Sequence, residues 1–158
     1  MADIKTLRGD AAGKKLAQVI KGIPIASMTT RGDDGLAGRP MATQGVEFDG
    51  DLYFFTSKSS QKVQHLQRDP SVHLAYSALE RDLFVNVSGR AGLNDDKDDM
   101  RRFWQEELRV WFPGGLDDPE LVMLKVRPTR GEYWQGPGED ASNEESEREG
   151  ENAKLIFD

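Results

Sequence analysis

LYFFT (Leu52–Thr56) carries apolar side chains at four successive positions, and neighbours along a strand point to opposite faces. Such a strand must be covered on both sides. It follows the hairpin signal Asp49-Gly50-Asp51, which in turn follows PMATQGVEF (Pro40–Phe48), a second strand. IPIASMTT (Ile23–Thr30) reads as a strand ended by the Gly/Asp turn RGDDGLAGR. Alternation places a strand through Val72, Leu74 and Tyr76, another through Leu83, Val85 and Val87, and a sixth through Val122, Leu124 and Val126. That last strand runs on past Pro128 to Trp134. Helices are expected from about Arg8 to Ile20, with Gly22 as a stop, from Ser59 to Arg68, and from Asn94 to Phe112. Six strands joined mostly by short turns, with helices inserted rather than alternating, predict a mainly β chain. The expected form is a six-stranded antiparallel barrel with flanking helices, not a doubly wound sheet.

A length of 158 residues suits one domain with a real core. No apolar run approaches the roughly 18 residues that cross a bilayer, and the first residues lack the apolar stretch of a secretory signal. There is no cysteine, which excludes disulfides and thiolate chemistry. A cytoplasmic address is expected, with no membrane contact. The net charge of −7 is concentrated: between Glu139 and Glu151 seven acidic residues stand against Arg148 alone. The rest is almost neutral and offers no basic stripe, so nucleic acid is not an expected partner. From Gly136 to Asn152 no aromatic or aliphatic residue is larger than alanine, proline apart, which predicts disorder. The chain therefore divides into a domain at 1–135 and an acidic tail at 136–158, whose end, Lys154–Asp158, is apolar enough to dock on something.

The stretch from Arg39 to Lys62, RPMATQGVEFDGDLYFFTSKSSQK, gathers donors. A guanidinium beside one strand, hydroxyls at the exit of the next and an ammonium at a helix entrance suit a phosphate monoester, whose charge and acceptors must be answered on leaving water. Arg39, Thr56, Ser57, Ser60 and Lys62 are the candidates. Ser/Lys clusters at helix starts also arise because serine caps helices and lysine keeps surfaces soluble. His65 and His73 lack partners at metal-ligand spacing and read as structural, and Asp95, Asp96, Asp98 and Asp99 read as a solvated helix entrance; no metal is expected.

From Met28 to Tyr76 the pattern MTTxxxDGLxxRPMxTQxxxFDGDLYFFTxxxSxKVxxLxxxPxVxLxY resembles the pyridoxamine 5'-phosphate oxidase-like, FMN-binding split barrels, nearest to their bacterial general stress protein branch. VSGRAGL (Val87–Leu93), VWFPGGLDDP (Val110–Pro119), MLKVRP (Met123–Pro128) and GEYW (Gly131–Trp134) extend the likeness over about Ile4 to Trp134. The resemblance implies a split barrel forming a homodimer with flavin sites between subunits. By position, Arg39, Pro40 and Met41 would flank the phosphate and ring edge, Phe55, Thr56 and Ser57 would meet the isoalloxazine, and Ser60 and Lys62 would bind the phosphate. Trp111 would approach the flavin from the partner subunit; packing is an equal reading for Trp111 and Trp134, and the favoured one for Trp104.

Where the oxidase proper has an Arg-Lys pair after its serine, this chain has Gln61-Lys62, and its acidic tail offers no counterpart to the residues that hold the vitamin substrate. Oxidation of pyridoxamine 5'-phosphate is therefore not implied. The leading expectation is a general stress type protein binding FMN, or FAD; if it turns over, it is a flavin-dependent oxidoreductase taking electrons from NAD(P)H or another donor. A non-catalytic flavin carrier or sensor, and a cofactor-free dimeric interaction module, stand beside it. Deazaflavin and haem are further ligands of related barrels, and the two histidines give haem little support.

Overall fold

The computed structural model describes residues 4–46, 50–137 and 150–158. Its elements run β1 (Lys5–Arg8), α1 (Gly9–Ile20), β2 (Ile25–Gly32), β3 (Gly35–Ala42), β4 (Gly45–Val46), β5 (Leu52–Ser57), α2 (Gln61–Arg68), β6 (Ser71–Ala78), β7 (Leu83–Asn94), α3 (Lys97–Phe103), β8 (Leu121–Gln135) and β9 (Glu151–Ile156). Short 3-10 turns cover Leu79–Arg81, Glu106–Val110 and Gly115–Asp117.

Antiparallel pairings close a circuit. β2 pairs with β3, whose chain continues into β4 and pairs there with β5; β5 pairs with β8, β8 with β7, β7 with β6, and β6 with β2. Counting β3 and β4 as one interrupted strand, these are the six strands read from the sequence. Two more lie outside the circuit and correct the purely antiparallel expectation. β9 adds to the second half of β8, and β1 lies parallel to β9, so the nine-stranded sheet is mixed. β8 serves both neighbours because it is 15 residues long: Leu121–Val126 face β5 and Arg130–Gln135 face β9. Between the halves, Gly89 pairs with Pro128 and Ser88 with Arg130, leaving Thr129 in a bulge. A Cβ on Gly89 would sit 2.5 Å from the Arg127 carbonyl oxygen, so the bulge requires glycine.

Burial follows the alternation. Ala26, Met28 and Thr30 of β2, Val72, Leu74 and Tyr76 of β6, and Leu83, Val85 and Val87 of β7 point inward. They meet Leu52 and Phe54 of β5 and Leu16 and Ile20 of α1 in the main core. Tyr53 and Phe55, on the opposite face of β5, enter a second cluster with Met100, Leu121 and Met123, roofed by Phe103, Trp104, Leu108 and Phe112. The doubly apolar strand is thus covered twice, and Trp104 is packing.

Three expectations change. The expected turn RGDDGLAGR shrinks to Asp33 and Asp34, because Gly32 and Gly35 close a two-residue hairpin and Gly35 takes φ +112°. The expected helix Asn94–Phe112 ends at Phe103 and resumes only as a 3-10 turn. Phe103 stacks on Tyr53 at 4.3 Å and Trp104 meets Phe55 edge-on at 5.5 Å, so packing on the second cluster overrides helical continuity. The separate tail at 136–158 is also revised: residues 138–149 lie outside the described residues, but Glu151–Ile156 rejoin the sheet. Tyr133 donates to Glu151 Oε1 at 2.5 Å, Ala153 and Leu155 are fully buried, and Phe157 lies against Gly50. Lys154–Asp158 docks because the exposed edge of β8 supplies backbone partners and the core supplies apolar cover.

Candidate anion-binding site

Arg39 lies on β3, opposite Met28 in register, and reaches across β2. Its Nη1 donates to Thr30 Oγ1 at 2.7 Å and to the Met28 carbonyl at 3.3 Å. Thr30 is 1% exposed; its hydroxyl also lies 2.9 Å from His65 Nδ1 on α2. Lys62, one turn before His65, donates to Thr56 Oγ1 at 2.8 Å, and Thr56 lies 3.5 Å from the Ser60 hydroxyl. Thr30 and Thr56 occupy inward positions of their strands, where alternation would otherwise put an apolar group. They hold two cations near one another at the edge of the core.

The local charge is positive. Both cations are half-buried, and among the described residues neither makes an ion pair with a carboxylate. Burial lowers the Arg39 pKa. Burial also lowers that of Lys62, and the charge of Arg39 lowers it further. The entrance of α2 adds donors: Ser60, the residue before its first turn, makes no side-chain cap, and that turn holds no acidic residue. Its first backbone N–H groups and the positive end of its dipole remain available to an anion.

The structure thus brings Arg39, Thr56, Ser60 and Lys62 together. It adds Thr30 and His65, which the sequence reading did not place there; the one local signal for Thr30 was a polar residue in the inward register of β2. The other candidates fall elsewhere in a single chain. Met41 is buried in the main core, and Pro40 is exposed on β3, beside it. Phe55 packs in the second cluster, and Ser57 bonds to Ser59 at 3.1 Å and Glu120 at 3.3 Å. Trp111 is 78% exposed at the end of its 3-10 turn, and Trp134 is 40% exposed on β8 opposite Phe84. Among the described residues no group of three His, Cys, Asp or Glu side chains is placed to hold a metal ion, and no helix is long and apolar enough to cross a membrane.

The family model for pyridoxamine 5'-phosphate oxidase-like proteins matches residues 11–144. The chain belongs to that family. Within it, the similarity is to the general stress protein 26 branch. General stress protein 26 of Bacillus subtilis is 33% identical over 116 residues, 72% of either chain. Among solved structures, the general stress protein 26 of Bacillus anthracis superposes with a TM-score of 0.68 at 25% identity, covering 77% of this chain and 92% of that one. A general stress FMN/FAD binding protein of Xanthomonas citri superposes with a TM-score of 0.68 at 28% identity, covering 78% and 88%. The match to the family model spans every residue of the anion site, from Thr30 to His65.

Proposed function

We propose that this chain binds FMN and works as a flavin-dependent oxidoreductase of the general stress type. One observation carries the reading: Arg39 and Lys62 converge half-buried, with no carboxylate partner among the described residues, beside a helix entrance that Ser60 does not cap. Keeping two cations in such a place costs stability unless a ligand answers them. A phosphate monoester does so, with Arg39 and Lys62 neutralising its charge and the Ser60 hydroxyl and first-turn N–H groups of α2 meeting its oxygens. The name of the Xanthomonas citri relative supports a flavin as the bearer of that phosphate and leaves FMN and FAD both in play.

When bound, the isoalloxazine supplies the redox chemistry, passing electrons from a donor such as NAD(P)H to an acceptor. The chain's own share is to grip the phosphate and orient the ring. Trp111 and Trp134, exposed in a single chain, suit contact with a second copy, consistent with a homodimer whose flavin sites lie between subunits.

The absorption spectrum of freshly purified protein, with mass analysis of any released chromophore, tests the ligand. Titration with FMN, FAD and riboflavin follows: FMN is expected to bind more tightly than riboflavin, which lacks the phosphate. Lys62→Ala is expected to weaken FMN binding by about 1.5–3 kcal/mol. Equal affinity for FMN and riboflavin would overturn the site. NAD(P)H oxidation by the FMN-loaded protein no faster than by free FMN would remove the enzymatic reading and leave a carrier.

A further inference from the structure

Arg39 has only N–H groups to offer, so in its 2.7 Å contact the Thr30 oxygen must accept. The proton of the Thr30 hydroxyl then needs an acceptor of its own, since Thr30 is 1% exposed. His65 Nδ1, at 2.9 Å, is placed to receive it. One direction satisfies every group: Arg39 donates to Thr30, and Thr30 donates to the His65 Nδ1 lone pair, which puts the ring proton on Nε2.

The backbone has made room for this ring. A Cβ on Gly32 would fall 2.4 Å from His65 Nε2 and 2.7 Å from Cε1, so the imidazole lies flat against β2 only because residue 32 has no side chain. His65 lines an open cleft of about 280 Å³ together with the polar residues Asp34 and Gln64.

We infer that His65 positions Arg39 for the phosphate through Thr30, touching no ligand itself. This rests on the phosphate reading of Arg39 and Lys62 and deepens it. With the acceptor on His65 removed, the Thr30 hydroxyl turns, its lone pair no longer meets the guanidinium, and repulsion from Lys62 moves Arg39 off its mark.

The test compares FMN with riboflavin in fluorescence-quenching titrations of the full chain. His65→Ala is expected to weaken FMN about tenfold, the size of one ordinary hydrogen bond, and to leave riboflavin unchanged. His65→Asn, whose carboxamide oxygen can accept from Thr30, is expected to restore most of the loss. Thr30→Val and Gly32→Ala should each weaken FMN similarly, and the His65→Ala/Thr30→Val double variant should lose no more than either single one. Imidazole 15N shifts of the wild-type protein at neutral pH should show Nδ1 unprotonated.

Equal losses for FMN and riboflavin, additive losses in the double variant, or a proton on Nδ1 would each overturn the inference. If Arg39→Ala alone loses FMN while His65→Ala does not, the relay fails and the phosphate site stands. If the wild-type protein binds FMN no better than riboflavin, both fail. Should His65→Ala not fold, His65→Asn and the nitrogen shifts still decide.

Discussion

Two helix entrances in this molecule solve the same problem in opposite ways. α3 is closed by its own residues: the Asp96 carboxylate accepts from the N–H groups of Asp98 and Asp99, and those two acids line its first turn. α2 is left open. Ser60 does not cap it, no acid occupies its first turn, and Lys62 and the nearby Arg39 add positive charge where the dipole already places it. One entrance is answered by its own residues, and the other, among the described residues, is not. The difference shows that helix-start sequence alone does not tell an answered entrance from an open one; the contacts made in the fold do.

The strongest way to break the contrast is to make α2 resemble α3. Lys62→Glu puts an acid in the first turn and gives Arg39 a carboxylate to pair with. FMN affinity in a fluorescence titration is expected to fall by about a hundredfold or more, roughly 3 kcal/mol, while the melting temperature holds or rises. A variant that still binds FMN tightly would separate Lys62 from the phosphate. The converse change opens α3: Asp96→Ala is expected to cost about 1 kcal/mol in denaturant unfolding and to leave FMN binding untouched.

Ser60→Ala sharpens the comparison further, because a serine that caps nothing has little to lose. Stability should change by only a few tenths of a kcal/mol in the same unfolding assay, against about 1 for Asp96→Ala, while FMN affinity falls modestly. A loss as large as that of Asp96→Ala would show that Ser60 does cap its helix in solution.

The smallest expected effect is a pH signature. Lys62 is held below its ordinary pKa by burial and by Arg39, so between its folded and unfolded values the unfolded chain binds more protons. Stability of the ligand-free protein should therefore rise as pH increases through that alkaline window, as the repulsion is relieved. A bound dianion favours the charged lysine, so FMN affinity should fall over the same window. Thermal melts and titrations of Lys62→Met, in which both trends disappear, check the assignment.

Much of the fold was legible in local pattern. Leu52–Thr56 demanded cover on both faces, and the main core and the second cluster supply it. The run of β8 past Pro128 to Trp134 was expected from the sequence, although the bulge at Thr129, which shifts the inward positions by one, was not. The end of α3 at Phe103 was hidden because Met100, Phe103, Trp104 and Leu108 keep helical spacing whether or not the helix continues; stacking on Tyr53 and Phe55 decided it. Of the site, Arg39, Thr56, Ser60 and Lys62 could be read from their places along adjoining strands and at a helix start. Thr30 and His65 could not, since they meet only after β2, β3 and α2 have packed.

By itself the amino-acid order determined which strand positions alternate inward, roughly where α1 and α2 begin and which residue types offer donors to a phosphate, because each of these depends on neighbours within a few residues. Tertiary structure alone decided that β1 and β9, drawn from opposite ends of the chain, lie side by side, and that a threonine on β2 links a guanidinium on β3 to an imidazole on α2. Such meetings depend on the closing of long loops, and the local pattern carries no record of which distant segment will complete the sheet.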